Sequence, residues 1–108
     1  MEREIIFSEK VELYLDELMQ LLFEEKYFGF PDSAKSYVDN LISFAEKYIG
    51  ILPAKNAPEY FKHFGKNMKY ITYQANKRTF WYIFYQERNH IYLIRHITNN
   101  HVAAQHFI

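Results

Sequence analysis

"MKYITYQANKRTFWYIFYQERNHIYLIRHI", residues 68 to 97, decides how this chain folds. Three apolar runs are separated by "NKR" and "RN", connections short enough for hairpins, which predicts three antiparallel strands in succession. The first run alternates, as a strand covered on one face does. The middle run, "TFWYIFYQE", is apolar in both registers, with Phe80, Tyr82 and Phe84 on one face and Trp81, Ile83 and Tyr85 on the other. A strand that needs cover on both faces belongs at the centre of a sheet.

Upstream of this stretch the apolar period lengthens. Val11, Leu15, Leu18 and Leu22 fall on one helical face, flanked by Tyr14, Met19 and Leu21, and predict a helix over residues 9 to 27 with Ser8 as its N-cap. The run before it, "REIIFS", reads as a short edge or second strand. Gly29 and Pro31 punctuate "FGFPDS", where Asp32 or Ser33 is placed to cap a second helix. That helix carries Ala34, Tyr37, Val38, Leu41, Ile42, Ala45, Tyr48 and Ile49 as an apolar stripe and ends at Gly50 and Pro53. Residues 51 to 67 read as a connection, with Pro58 opening one helical turn through "PEYFKHF". After Thr98, "NNHVAAQHFI" predicts a short helix capped by Asn99 or Asn100, with Val102, Ala103 and Phe107 docking back. The expected class is α+β in the order β-α-α-β-β-β: a helical hairpin packed on an antiparallel sheet, a short C-terminal helix or tail, and a single domain over residues 1 to 108.

Composition narrows the chemistry. The chain has no cysteine, which excludes disulfides, thiolate metal sites and a cysteine nucleophile. Neither a leader pattern nor an apolar run near membrane-spanning length is visible, so the expectation is a cytoplasmic protein with no membrane partner. The formal net charge is zero, but it divides unevenly at Gly50. Residues 1 to 50 carry eleven acids against five bases, and residues 51 to 108 eight bases against two acids, together with all five histidines. Such asymmetry suggests either a basic working surface on an acidic support or two halves that complement each other electrostatically.

The histidines invite a metal reading that their spacing does not support. His96, His101 and His106 lie five apart, whereas one helical face needs three or four and one strand face two, so neither a metal site nor a cofactor is expected. A glycine-flanked serine and a phosphate-cradling glycine loop are also missing. Nucleic acid fits better. Lys62, Lys66, Lys69, Lys77, Arg78, Arg88 and Arg95 alternate with Tyr60, Phe61, Tyr70, Tyr73, Trp81, Tyr82, Tyr85 and Tyr92, and cations can neutralise phosphates while exposed rings stack on bases. The opposing reading is that the rings pack the sheet and the asparagines cap a helix.

The succession of a short strand, a helical hairpin and "MKYITY…RTFWYIFYQERNHIYLIRHITNNH" resembles the RelE/ParE superfamily of toxins from type II toxin–antitoxin modules, also labelled plasmid stabilisation proteins. The likeness spans nearly the whole chain and is most specific in residues 66 to 101. It implies a toxin held by a cognate antitoxin and acting as a ribosome-dependent, metal-independent mRNA endoribonuclease. The alternatives it carries are a ParE-like inhibitor of DNA gyrase and a non-catalytic protein-interaction domain of the same fold, and a homodimer is compatible with each. Carried onto this chain, the likeness makes His101 the general acid or base. Lys66, Lys69 and Arg95 become the phosphate-binding cations, and Tyr85 a stacking or hydrogen-bonding group. Arg78, Tyr82, Asn99 and Asn100 complete the expected nucleic-acid surface. Two positions depart from the family pattern: Tyr82 stands where many members have an arginine, and the tail reads Ile97, Thr98, Asn99, Asn100 where positive charge is usual.

Overall fold

The computed structural model describes residues 2–24 and 31–107. Ser8 separates β1 (Glu4–Phe7) from α1 (Glu9–Glu24) and caps the helix as expected. Its Oγ accepts from the Val11 N–H at 3.2 Å and its carbonyl from the Glu12 N–H at 2.9 Å, giving partners to donors that a first turn leaves open. The expected end of this helix at Tyr27 and the turn at Gly29 lie outside the described residues. α2 (Pro31–Tyr48) already contains Asp32 and Ser33, so neither of them precedes it as a cap. Proline suits that opening position because its missing N–H would have had no partner in the helix.

The far end of α2 is closed by the start of the chain. Arg3 donates from its guanidinium to the carbonyls of Glu46 and Lys47, each at 3.3 Å, and to that of Ile49. A cation there also meets the negative end of the helix dipole. Gly50 follows at φ 84°, and a Cβ on it would stand 2.7 Å from the Tyr92 ring. Glycine is required twice over, by backbone conformation and by space.

The sheet order is β1-β5-β4-β3-β2. β3 (Lys69–Asn76), β4 (Thr79–Arg88) and β5 (Ile91–Asn99) form the expected antiparallel series with β4 at the centre. Asn89 and His90 both take positive φ, 51° and 67°, in the tight turn between β4 and β5, as a two-residue hairpin loop demands. Two features depart from the sequence reading. β1 pairs in parallel with β5, so the sheet is mixed rather than antiparallel throughout; pairing direction follows from the path of the connections, which residue alternation does not encode. The connection also supplies a two-residue strand, β2 (Lys55–Asn56), against the start of β3. Beyond it, the outer edge of β3 from Ile71 onward pairs with no strand among the described residues.

Two cores flank the sheet. On the helix side, Val11, Leu15, Val38, Leu41 and Ile49 meet Ile71, Trp81, Ile83, Tyr85 and Ile94. Trp81 donates its indole N–H to the Tyr37 hydroxyl at 2.9 Å. On the other side, Phe61, Met68, Phe84 and Ala103 form a second core edged by Phe64, Tyr70, Tyr82 and Phe107. The covers are the turn opened by Pro58, a 3-10 helix (Glu59–Phe64), and the tail, α3 (Asn100–Ala103) followed by a 3-10 turn (Ala104–Phe107). Ala103 and Phe107 dock as expected; Val102 does not, being 68% exposed.

A bulge determines what β5 shows to each side. Phe84 pairs with His96 and Tyr85 with Ile94, which leaves Arg95 as an extra residue. Tyr92 and Ile94 before it and Ile97 after it all belong to the helix-side core, so Arg95 and His96 together face the other way.

Candidate nucleic-acid interface

Four of the expected residues meet where β4 begins and β5 ends. Asn99 is the N-cap of α3: its Oδ1 accepts from the N–H of His101 at 2.9 Å and of Val102 at 3.2 Å. Asn100 acts differently. Its Oδ1 accepts from the Phe80 N–H at 2.9 Å and its Nδ2 donates to the Arg78 carbonyl at 3.0 Å, so its amide extends the ladder where β5 has turned into helix. Asn76 Oδ1 accepts from the Arg78 N–H at 2.9 Å and shapes the same turn. His101 is exposed, with Nε2 3.0 Å from the Thr79 hydroxyl. The Lys77 and Arg78 side chains are exposed on the adjoining turn.

The remaining residues do not join this group. Tyr82 is half-buried, with Phe107 stacked 4.1 Å from its ring centre and Tyr70 edge-on at 5.9 Å. The tail therefore occupies the face on which a base would stack. Tyr85 is 3% exposed in the helix-side core, edge-on to Tyr92, and burial pushes its phenol pKa up. Lys69 pairs with Tyr85 in register and shares its alternation, whereas Arg95 points to the opposite face and donates its Nε to the Phe64 carbonyl at 3.2 Å. From Thr79 to Phe84 is about 17 Å along β4, so Arg95 and His101 are held apart. Lys66 is exposed in the loop before β3, where its carbonyl accepts from the Gln86 side chain at 2.9 Å.

A second gathering of basic groups surrounds Phe64. His96 stacks on its ring at 3.7 Å, His63 lies 4.0 Å away and the Lys10 ammonium stands 5.0 Å from the ring centre. Burial first, and then the nearby Lys10 and His63, lower the His96 pKa to about 4, so its ring is neutral near pH 7. The sequence reading named His96 only in the rejected metal spacing and gave Lys10 and His63 no place in the nucleic-acid surface. The available signal was the three-residue step from Ile94 to Ile97, which strict alternation cannot place on one face.

Among the described residues no group of three or more histidine, aspartate or glutamate side chains is arranged to hold a metal ion, and no helix is long and apolar enough to cross a membrane. Comparison of the chain with protein-family models, with curated proteins and with solved structures gave no match.

Proposed function

We propose that this chain is the toxin of a RelE/ParE-type toxin–antitoxin pair and cleaves mRNA on the ribosome without a metal. The observation that carries the reading is the Asn100 clamp, which ties the Arg78 turn to His101 and sets an imidazole beside two exposed cations at one end of the sheet. The likeness of residues 66 to 101 to that superfamily supports it from the sequence. Histidine is suited to moving a proton at neutral pH. In this scheme His101 takes the proton of a ribose 2′-hydroxyl, the freed oxygen attacks the adjacent phosphorus, and the bond from phosphorus to the 5′-oxygen breaks with that oxygen taking a proton from water, producing a 2′,3′-cyclic phosphate. Lys77 and Arg78 offset the charge that builds on the phosphoryl oxygens. The site of action would be the cytoplasm, and the partner an antitoxin encoded in an adjacent reading frame.

A second reading, inhibition of a protein target such as gyrase, is favoured by a different observation: Lys69, Arg95 and Tyr85 stand apart from His101. Controlled induction in a bacterial host, with transcript ends mapped by primer extension, separates the two. Cleavage and growth arrest that both disappear in His101→Ala support the nuclease. Growth arrest that survives this substitution, with DNA breaks in a purified gyrase assay and intact transcripts, replaces it with the binding reading.

A further inference from the structure

Lys10, His63, Arg95 and His96 come from three separate elements, α1, the 3-10 helix and the bulge of β5, and converge on the Phe64 ring and its carbonyl. The ion pairs formed among the described residues, Lys35 with Asp39 and Lys62 with Glu59, include none of the four. Lys10 and Arg95 carry their charges here without an ion-pair partner among the described residues, an arrangement that a bound anion would stabilise. Donors are also available. Arg95 donates its Nε to the Phe64 carbonyl, and among the described residues its two Nη groups have no partner. Neither ring nitrogen of His96 has a protein partner among the described residues, yet no buried side-chain nitrogen or oxygen is left unsatisfied, so both reach solvent.

We propose that these four residues form a phosphate-binding site that holds the backbone of a single-stranded nucleic acid. A planar, forked guanidinium beside an ammonium and two imidazoles matches the oxygens of a phosphate better than a single carboxylate. A strand is favoured over an isolated phosphate because His63 also lines an open groove of about 750 Å³ that continues past Lys66 and Lys69, with Lys62 on its wall paired to Glu59. Successive phosphates would follow that track. The Phe64 ring is already covered by His96, so the site takes the backbone and leaves the bases to face elsewhere. The inference rests on the toxin reading only for the origin of the strand; phosphate capture needs no cleavage and uses none of the residues at the His101 end.

The test uses the full chain, imidazole NMR and two probes: inorganic phosphate, and an all-2′-deoxy octanucleotide that lacks the hydroxyl needed for cleavage. Phosphate should shift the His63 and His96 resonances and move the His96 titration upward from about 4; chloride at equal ionic strength should not. Octanucleotide binding should weaken about tenfold in Lys10→Gln and further in Lys10→Gln/His63→Gln, while Lys47→Gln on α2 leaves it unchanged. Both substituted side chains are exposed, and unchanged melting temperatures would confirm intact folds. Equal shifts with chloride, unaffected binding in the double variant, or binding of phosphate without the octanucleotide would each overturn the assignment. Octanucleotide binding by a wild-type chain whose induction in the bacterial host leaves transcripts intact would instead sink the nuclease reading and leave this site standing.

Discussion

Asn99 and Asn100 are adjacent and chemically identical, yet one caps a helix and the other completes a sheet. The first role was legible, since asparagine before a short helical run is a common N-cap. The second was not, because its partners Phe80 and Arg78 are 20 and 22 positions away. Asn99→Ala should cost about 1 kcal/mol. Asn100→Ala, which strands a donor and an acceptor, should cost about 1–3 kcal/mol, and denaturant midpoints will rank the two. His96 supports a pH prediction. Its folded pKa of about 4 lies below the ordinary 6.5, so the unfolded chain binds the proton more readily and stability is complete only above pH 6.5. Acidification from pH 6.5 to 4 should remove on the order of 2 kcal/mol, allowing for screening of a half-buried ring. His96→Gln should flatten that part of the stability profile in urea titrations.

At the scale of elements, local chemistry was easy to read and long-range placement was not. Ser8, the apolar stripes of α1 and α2, and the two-sided β4 followed from period and capping alone. Opaque from sequence were the parallel pairing of β1 and the bulge in β5, each set by contacts between distant segments; the second cover was legible in part, through the two-sided β4 and the docking of Ala103 and Phe107, but the seat of Phe61 in it was not. The candidate site suffered most from the bulge, which sends Arg95 away from Lys69. The second cover has a test of its own. Phe61, 1% exposed between its 3-10 helix and Phe84, should cost about 3–5 kcal/mol on substitution by alanine. Removing Phe107 should cost less, since that ring is only half-buried, and should uncover Tyr82. If the nuclease reading holds, truncation after Ala103 should strengthen RNA binding in a gel-shift assay by making that ring available for stacking.

For the molecule as a whole, the zero net charge hides a polar object. Both ion pairs among the described residues are local, joining neighbours on one helix or one turn, so no direct pair among the described residues joins the acidic first half to the basic second half. The expected behaviour is retention on a heparin column at low salt despite a neutral sum, with elution as ionic strength rises; passage at low salt would show that the basic surface is too dispersed to act as one. The two cores also differ in how they can be watched. The single tryptophan, Trp81, is bonded to Tyr37 in the helix-side core, while the opposite core is built around phenylalanine. Intrinsic fluorescence is therefore a one-sided witness: it will report the helical hairpin lifting from the sheet and stay dark to the tail peeling away. A transition seen by amide exchange at Ala103 without a change in emission would identify the tail as a separately opening unit.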